Sequence, residues 1–358
     1  MTHVSVIIPF YRRHANLARV LKSLSLQTMG GLEVIVAAFE PDCALEMLCS
    51  AFDFAVIVPV SGRCWNVAAA RNAGMRAASG ELLIFLDTDI VVREEFISYH
   101  VACHTGSGSP CLSVGRVLGF FPYGKQMSGE AERLLAGDTA ELLAHAESTL
   151  PSDARWGNER GCALPWAFCW SGNIGVASEA ARRHSLYFDE NFQGWGGEDL
   201  EWAYRAHRAG QSIKFLPEAW GVHLPHERNV QDQISSEQAN FRRFLARYPT
   251  FEVELVVWLN DLEANSRYSE IVSCVTRARG MSPVDTACPV QVVAGGDQIC
   301  FGAEDTPSGK TAMNLLGVTT PFPSGSFQSA TIAPWMRRLP SDLFESIEKE
   351  ADRLCRAQ

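Results

Sequence analysis

The first ninety residues alternate two kinds of hydrophobic pattern. Continuous apolar runs, typical of strands that are covered on both faces, occupy residues 4–9, 32–38, 55–60 and 82–86. Between these runs, apolar residues recur at helical spacing, as in "HANLARVLKSL". Alternating strands and helices connect with right-handed crossovers into a parallel sheet. The pattern therefore predicts an α/β fold with a mostly parallel central sheet flanked by helices.

Composition excludes several classes of protein. The net charge of −10 argues against a nucleic-acid partner. No apolar run reaches the roughly 18 residues that would span a bilayer, so we expect no membrane span. The 11 cysteines include no CxxC pair and no zinc-type spacing, and the N-terminus "MTHVSVIIPFYRR" does not look like a secretion signal. We therefore expect reduced thiols and a cytoplasmic location.

Two acids follow the fourth apolar run, in the sequence "LLIFLDTD". Ligands of parallel sheets bind beyond the carboxyl ends of the strands, and residues i and i+2 of an extended chain point the same way. Asp87 and Asp89 can therefore face one crevice and hold a divalent cation that bridges a diphosphate. A D-x-D motif arises easily by chance among 41 acids, but the preceding strand and the "ARNAG" helix strengthen this interpretation.

The first 100 residues resemble the nucleotide-binding half of GT-A fold glycosyltransferases, especially family 2. The similarity lies in "VSVIIPFY" and "NVAAARNAGMRAASGELLIFLDTD", and "PFYRR" is similar to the "PFRNR" of β-1,4-galactosyltransferases. The resemblance implies a first-strand loop that touches the nucleoside, an Arg–Asn helix on the diphosphate side, and metal binding by D-x-D. It thereby assigns donor binding to Pro9, Phe10, Tyr11, Arg12, Arg71, Asn72 and Asp87, and metal binding to Asp87 and Asp89.

One part of this family pattern is missing. Family members usually end the second strand with Asp-Asp-Gly-Ser, in which an Asp contacts the base. This chain has Ala37 and Ala38 there, in "VIVAAFEPD". Glu40 and Asp42 are the acids that could substitute, and Glu40 is taken as the candidate. The identity of the donor base is therefore less well defined than the fold.

A second motif, "GWGGEDLEW", contains two more acids at the start of a predicted helix. Gly196 and Gly197 let the backbone turn sharply and approach a ligand, and Trp195 offers a flat apolar face for a sugar ring. Glu198 and Asp199 could simply complement the helix dipole, but that reading leaves the Gly-Trp-Gly-Gly run unexplained. We therefore assign this loop to sugar and acceptor binding.

The surrounding segment resembles the C-terminal half of family 7 galactosyltransferases, chondroitin-type polymerases and polypeptide GalNAc-transferases. The resemblance implies that Asp199 is the base that deprotonates the acceptor hydroxyl, and that Glu198 holds sugar hydroxyls. Asn at the second acid position marks the retaining GalNAc-transferases, so Asp199 favours inversion. Asn173 in "WSGNIG" lies where related enzymes contact the donor sugar, although a loop turn would explain it equally well.

The segment "WGVHLPHERN" supplies a candidate third metal ligand. In related enzymes one His of this region completes the metal site. The "GVH" pattern favours His223, whereas the galactosyltransferase spacing favours His226. Carboxylates together with imidazole suit Mn²⁺ better than Mg²⁺, which prefers oxygen ligands but stays possible.

The sequence thus predicts a metal-dependent, inverting glycosyltransferase that uses a nucleotide-diphospho-sugar, most simply a UDP-sugar. The acceptor could be a sugar, a peptide or a natural product. The alternatives are a retaining transferase of the same fold, and a non-catalytic sugar- or nucleotide-binding module. We expect the GT-A domain over residues 1–250, with a nucleotide-binding half at 1–104 and an acceptor half at 105–229. Residues 251–358 would form a helical and mixed extension of undefined role.

Overall fold

The computed structural model describes residues 2–62, 65–106, 108–119, 128–157, 161–226, 229–280, 291–295, 298–303 and 311–356. The chain divides into two compact units. The first comprises residues 1–159 and 168–237, and the second comprises residues 160–167 and 238–358. The domain boundaries expected from the sequence stay a prediction.

The first unit is built on an eight-stranded sheet in the order β3-β2-β1-β4-β7-β6-β8-β5. Its strands are β1 Val4–Phe10, β2 Leu32–Ala38, β3 Ala55–Pro59, β4 Leu82–Leu86, β5 Ile90–Val92, β6 Cys111–Leu118, β7 Asn173–Ala177 and β8 Ser212–His223. Strands β3, β2, β1 and β4 are parallel, as are β6 and β8, whereas β7 runs antiparallel to β4 and β6 and β5 runs antiparallel to β8. The predicted α/β fold with a mostly parallel sheet is confirmed.

The helices of the first unit follow the apolar pattern of the sequence. They are α1 His14–Leu24, α2 Cys43–Ser50, α3 Val67–Ala77, α4 Phe96–Gly106, α5 Gly129–Ala136, α6 Thr139–Thr149, α7 Ser178–Arg183 and α8 Glu198–Arg208. Helix α1 buries Leu17, Val20 and Leu21. Helix α3 needs small residues because it packs closely on β1: a Cβ at Gly74 would lie 2.3 Å from Ile7 Cγ2.

Strand β8 is longer than the sequence suggested. The strand-like run "SIKFLP" covers only its first half, and the strand continues through residues 218–222 to His223. Its last residue pairs with Ile90 at the start of β5. Because β5 begins directly after Asp89, this pairing carries His223 to the D-x-D motif.

The second unit combines helices with a small sheet. Helix α9 (Val230–Arg247) spans the division between the two units, and it is followed by α10 Phe251–Leu259, α11 Asp261–Arg279 and α12 Ser341–Cys355. The sheet has the order β11-β9-β10-β12, from β9 Gln291–Gly295, β10 Gln298–Ala303, β11 Thr311–Met313 and β12 Ser329–Ile332. The buried carboxylate of Glu254 in α10 accepts backbone N–H groups from residues 316–319.

Within the described residues, every helix is too short or too polar to cross a lipid bilayer.

Candidate active site

The D-x-D motif forms a tight turn between β4 and β5. The backbone N–H of Asp87 donates to the carbonyl of Gly172 at 3.2 Å, and Ile90 donates to the carbonyl of Asp87 at 3.1 Å. Asp89 is 3% exposed, whereas the side chain of Asp87 is 37% exposed. The two carboxylates therefore differ in exposure, although the sequence predicted that both would bind one cation.

Asp89 and two histidines form a candidate metal group. The ligand atoms of Asp89, His223 and His226 all lie within 4.8 Å of one another. His226 Nδ1 is 3.1 Å from Asp89 Oδ2, and His223 Nε2 is 3.9 Å from Asp89 Oδ1. Burial alone would raise the pKa of Asp89, but His226, His223 and Arg13 together lower it to about 2. One carboxylate with two imidazoles is a donor set that fits a transition metal such as Mn²⁺, and the choice between the two histidines stays a prediction.

Arg71 joins the two sequence motifs. From the middle of α3, its Nη2 donates to Asp87 Oδ1 at 3.1 Å and its Nη1 donates to Glu198 Oε1 at 3.0 Å. The guanidinium is buried and lies over the ring of Phe188. Burial raises the pKa of Asp87, and the charge of Arg71 opposes that effect. The predicted donor-side arginine thus holds a carboxylate from each motif.

Asn72 lies next to Arg71 in α3, but its side chain contacts a different segment of the chain. Its amide nitrogen donates to Phe188 O at 2.9 Å and to Glu190 Oε1 at 2.8 Å, and its amide oxygen accepts from Phe188 N at 2.8 Å. Both amide hydrogens are therefore used by the segment that leads into Gly-Trp-Gly-Gly. The sequence predicted a role on the diphosphate side, whereas these contacts make Asn72 an anchor for the second motif.

The Gly-Trp-Gly-Gly loop depends on backbone conformations that favour glycine. Gly194, Gly196 and Gly197 have φ values of 74°, 90° and 86°. A Cβ at Gly194 would also lie 2.6 Å from Cβ of Ser236 in α9. The hydroxyl of Ser236 accepts the backbone N–H of Trp195 at 3.0 Å. The indole of Trp195 is partly exposed, so the loop presents a flat apolar surface on a fixed backbone.

Glu198 and Asp199 begin α8, as predicted. Glu198 is 7% exposed and is held by Arg71. Asp199 accepts backbone N–H groups from Ser171 at 3.3 Å and Leu200 at 2.8 Å. Burial and the neighbouring charge of Glu198 raise the pKa of Asp199 to about 7, against the opposing charge of Arg71. A carboxylate with that pKa is suited to accept a proton near neutral pH.

The first-strand loop brings several of the predicted donor residues together. The rings of Tyr11 and Trp65 stack with centroids 5.6 Å apart, and the guanidinium of Arg12 lies 4.7 Å from the Tyr11 ring centre. Arg12 Nη2 donates to Glu40 Oε2 at 2.8 Å. Pro9 and Phe10 are buried within β1. Asp42, the other acid considered, caps α2 by accepting from Leu45 N.

The backbone of this loop is unusual. Arg12 and Glu40 both have positive φ, at 56° and 49°. Non-glycine residues in this conformation are uncommon and cluster at functional sites. Trp65 was not among the site residues predicted from the sequence. The only sequence feature that points to it is its position just before α3.

The position and contacts of Asn173 differ from those that the sequence predicted. It is the first residue of β7 and is fully buried rather than part of a loop turn. Its amide nitrogen donates to the carbonyls of Arg116 at 3.2 Å and Ala219 at 2.9 Å, and its amide oxygen lies 3.0 Å from His100 Nε2. Both amide hydrogens are used inside the sheet, so the predicted donor contact from this amide is not supported. Asn173 instead ties β7 to β6 and β8.

Arg13 is a further residue of the site that sequence reasoning missed. Its Nη1 donates to Asp89 Oδ2 at 2.6 Å. The only sequence signal is its position beside Arg12 in "PFYRR".

Comparison with protein families gives one match. The family model described as "Glycosyl transferase family 2" matches residues 5–117. These residues cover β1 to β6, except for the first residue of β1 and the last of β6, and include the D-x-D motif. They contain neither the "GWGGED" motif nor the two histidines. The predicted resemblance of the C-terminal half stays a prediction.

Known proteins similar to this chain include named glycosyltransferases. Validoxylamine A glucosyltransferase of Streptomyces hygroscopicus subsp. jinggangensis is 31% identical over 270 residues, which are 70% of this chain and 62% of that protein. Chondroitin synthase of Escherichia coli is 25% identical over 269 residues, 69% of this chain and 39% of that protein. The chain thus spans less than two thirds of the length of either relative.

A solved structure with some likeness is glucosyl-3-phosphoglycerate synthase from Mycobacterium tuberculosis, in complex with Mn²⁺, UDP and phosphoglyceric acid. The TM-score is 0.47 and the identity 20%, over 69% of this chain and 78% of that chain.

Proposed function

We propose that the protein transfers a sugar from a nucleotide-diphospho-sugar to an acceptor hydroxyl, with metal dependence and inversion. The match of residues 5–117 to the glycosyltransferase family 2 model supports this proposal. The observation that carries this proposal is the bridge of Arg71 between Asp87 and Glu198. The bridge supports the proposal because it joins the D-x-D motif, which contains Asp89, to the acid that directly precedes the candidate base Asp199, although the two motifs lie more than 100 residues apart.

Asp199 is the proposed catalytic base. It takes the proton of the acceptor hydroxyl as that oxygen forms a bond to the anomeric carbon and the bond from that carbon to the diphosphate breaks. The raised pKa of Asp199, about 7, makes it a stronger base than an ordinary carboxylate. The backbone N–H of Ser171 orients one of its oxygens. Glu198 and Trp195 hold the reacting sugars through hydrogen bonds and stacking.

Asp89, His223 and His226 would hold the metal, and Mn²⁺ fits that donor set better than Mg²⁺. When bound, the metal would neutralise charge on the leaving diphosphate. Arg71 adds a fixed positive charge next to the same edge of the sheet, on the Asp87 side.

The donor is proposed to be a UDP-sugar, and its base to meet the first-strand loop. Tyr11 and Trp65 offer aromatic surface there, and the Arg12–Glu40 pair supplies one hydrogen-bond donor group and one acceptor group. The named activity of the 31%-identical relative, a glucosyltransferase, supports transfer of a hexose. The acceptor class, whether sugar, peptide or natural product, and the cytoplasmic location stay predictions from the sequence.

Transfer assays with purified protein test this function. The protein is incubated with UDP-sugars and mixed acceptors, with Mn²⁺ or with a chelator, and released UDP is measured. We expect Mn²⁺-dependent release in the wild type and a loss of at least about 100-fold in Asp199→Asn. Binding of UDP without release from any donor would favour a non-catalytic module. A product that retains the anomeric configuration, read by NMR, would contradict inversion and reassign Asp199.

A further inference from the structure

Arg13 occupies the carboxylate that the metal would need. Its guanidinium donates to Asp89 Oδ2 at 2.6 Å, and His226 Nδ1 lies 3.1 Å from the same oxygen. Asp89 is almost fully buried, so water screens its charge little. A short, charge-assisted hydrogen bond to a buried carboxylate is among the stronger polar contacts in proteins.

We propose that Arg13 is a built-in competitor of the divalent cation, which must leave Asp89 Oδ2 before the metal can bind there. This inference rests on the metal site of the proposed function and adds a residue that controls it.

The competition follows from charge and space. A metal held by Asp89, His223 and His226 would bring a second positive charge to the carboxylate that Arg13 already contacts. Two cations that share one buried oxygen repel each other strongly, because few water molecules screen them. Arg13 therefore cannot keep its 2.6 Å contact with Asp89 Oδ2 while a metal binds that oxygen. In the structure, the Arg13 guanidinium places a positive charge next to the Asp89 carboxylate.

The position of Arg13 allows its side chain to move away from Asp89. Its side chain is 38% exposed, whereas that of Asp89 is only 4% exposed. Arg13 lies directly before α1, and its side chain makes no capping hydrogen bond to that helix. The start of a helix is also a favourable place for an anion. A diphosphate at this edge of the sheet would therefore offer Arg13 an alternative partner.

Metal binding and nucleotide binding should consequently depend on each other. UDP would attract Arg13 away from Asp89 and so strengthen metal binding. By thermodynamic linkage, the metal must strengthen UDP binding by the same factor. Without Arg13, the metal would bind well alone and would gain less from UDP.

The test measures Mn²⁺ affinity without any sugar donor, from the EPR signal of free Mn²⁺ during titration. The variants are Arg13→Gln, Arg13→Lys and Asp89→Asn. The matched control is Arg183→Gln, which makes the same charge change at an exposed ion pair with Glu179 in α7. Thermal unfolding without metal verifies that each variant is folded. The titrations are repeated with saturating UDP.

We expect Arg13→Gln to bind Mn²⁺ roughly tenfold more tightly than the wild type, a difference of ~1.4 kcal/mol. Its gain in affinity from UDP should be smaller than in the wild type. Arg13→Lys should stay close to the wild type because it keeps the competing charge, and Arg183→Gln should match the wild type. Asp89→Asn should lose binding.

An Arg13→Gln variant that binds Mn²⁺ no more tightly than the wild type would overturn the inference. So would an Arg13→Lys variant as tight as Arg13→Gln, since the charge would then be irrelevant. These affinities do not depend on transfer activity. A protein that transfers no sugar would contradict the proposed function, while the Mn²⁺ titrations would still decide the role of Arg13.

Discussion

Replacing Arg71 by Met should destabilise the first unit by an amount that the structure allows us to derive. The guanidinium is 4% exposed and pairs with Glu198, whose side chain is 9% exposed, and with Asp87, whose side chain is 37% exposed. Removing one partner of a buried ion pair costs about 3–5 kcal/mol, because a charge is left buried without compensation. Water can solvate the more open Asp87, so most of the cost comes from Glu198. We therefore expect a loss of about 3 kcal/mol in the free energy of unfolding at pH 7.

Arg76 provides a matched control on the same helix. Its side chain is 60% exposed and lies 3.5 Å from Glu190, which is 47% exposed. Exposed pairs of this kind contribute under about 1 kcal/mol, so Arg76→Met should lose much less stability than Arg71→Met. Urea unfolding of the wild type and both variants, with the free energy extrapolated to water, gives the comparison.

The pH dependence checks the same reasoning. In the wild type, burial raises the pKa of Asp87 and of Asp199, and the charge of Arg71 opposes both increases. Arg71→Met removes that opposing charge, so the folded state of the variant should bind protons more readily than the unfolded chain. Lowering the pH from 7 to 5 should then stabilise the variant relative to the wild type and reduce its deficit. A deficit below about 1 kcal/mol at pH 7, equal to that of Arg76→Met, would refute the buried bridge. A deficit that grows as the pH falls would refute its electrostatic origin.

Three further results are expected at the candidate active site. Asp199→Asn should lower turnover by about 10² to 10⁴ while leaving UDP affinity nearly unchanged; wild-type turnover in steady-state assays would exclude Asp199 as the base. In the wild type, kcat/KM should rise with pH and level off above about 7, since the base works only when ionised and the pKa of Asp199 is raised to about 7; an Asp199→Asn variant whose residual activity keeps the same pH midpoint would assign that ionisation to another group. His223→Ala and His226→Ala should each weaken Mn²⁺ binding in titrations, as both lie at Asp89; an unaffected variant would identify the imidazole that is not a ligand.

The sequence was sufficient for much of the fold because its signals there are local. Continuous apolar runs predicted the ends of β1, β2, β3 and β4 to within one residue. The acids at the end of β4 and at the start of α8 were also visible, because each follows a recognisable structural boundary. The roles assigned to those acids stay predictions.

The contacts that connect the site were not visible in the sequence because they join distant segments. No local sequence pattern indicates that Arg71 contacts both Asp87 and Glu198, or that Arg13 contacts Asp89. Asn173 shows the opposite problem: a polar residue beside glycine in "WSGNIG" indicates a loop, yet its amide is satisfied inside the sheet. Side-chain partners set by tertiary packing override such local preferences.

The position of β7 limits how this protein can be divided. It fills the place between β4 and β6, so it covers the edges of two strands that precede it by more than fifty residues. A fragment that stops at residue 117 would lose this central strand and leave both edges open, which invites association with other chains. It would also lack β8 and the helix that carries Glu198 and Asp199. For protein engineering, the smallest portable form of the candidate site therefore extends at least to His226.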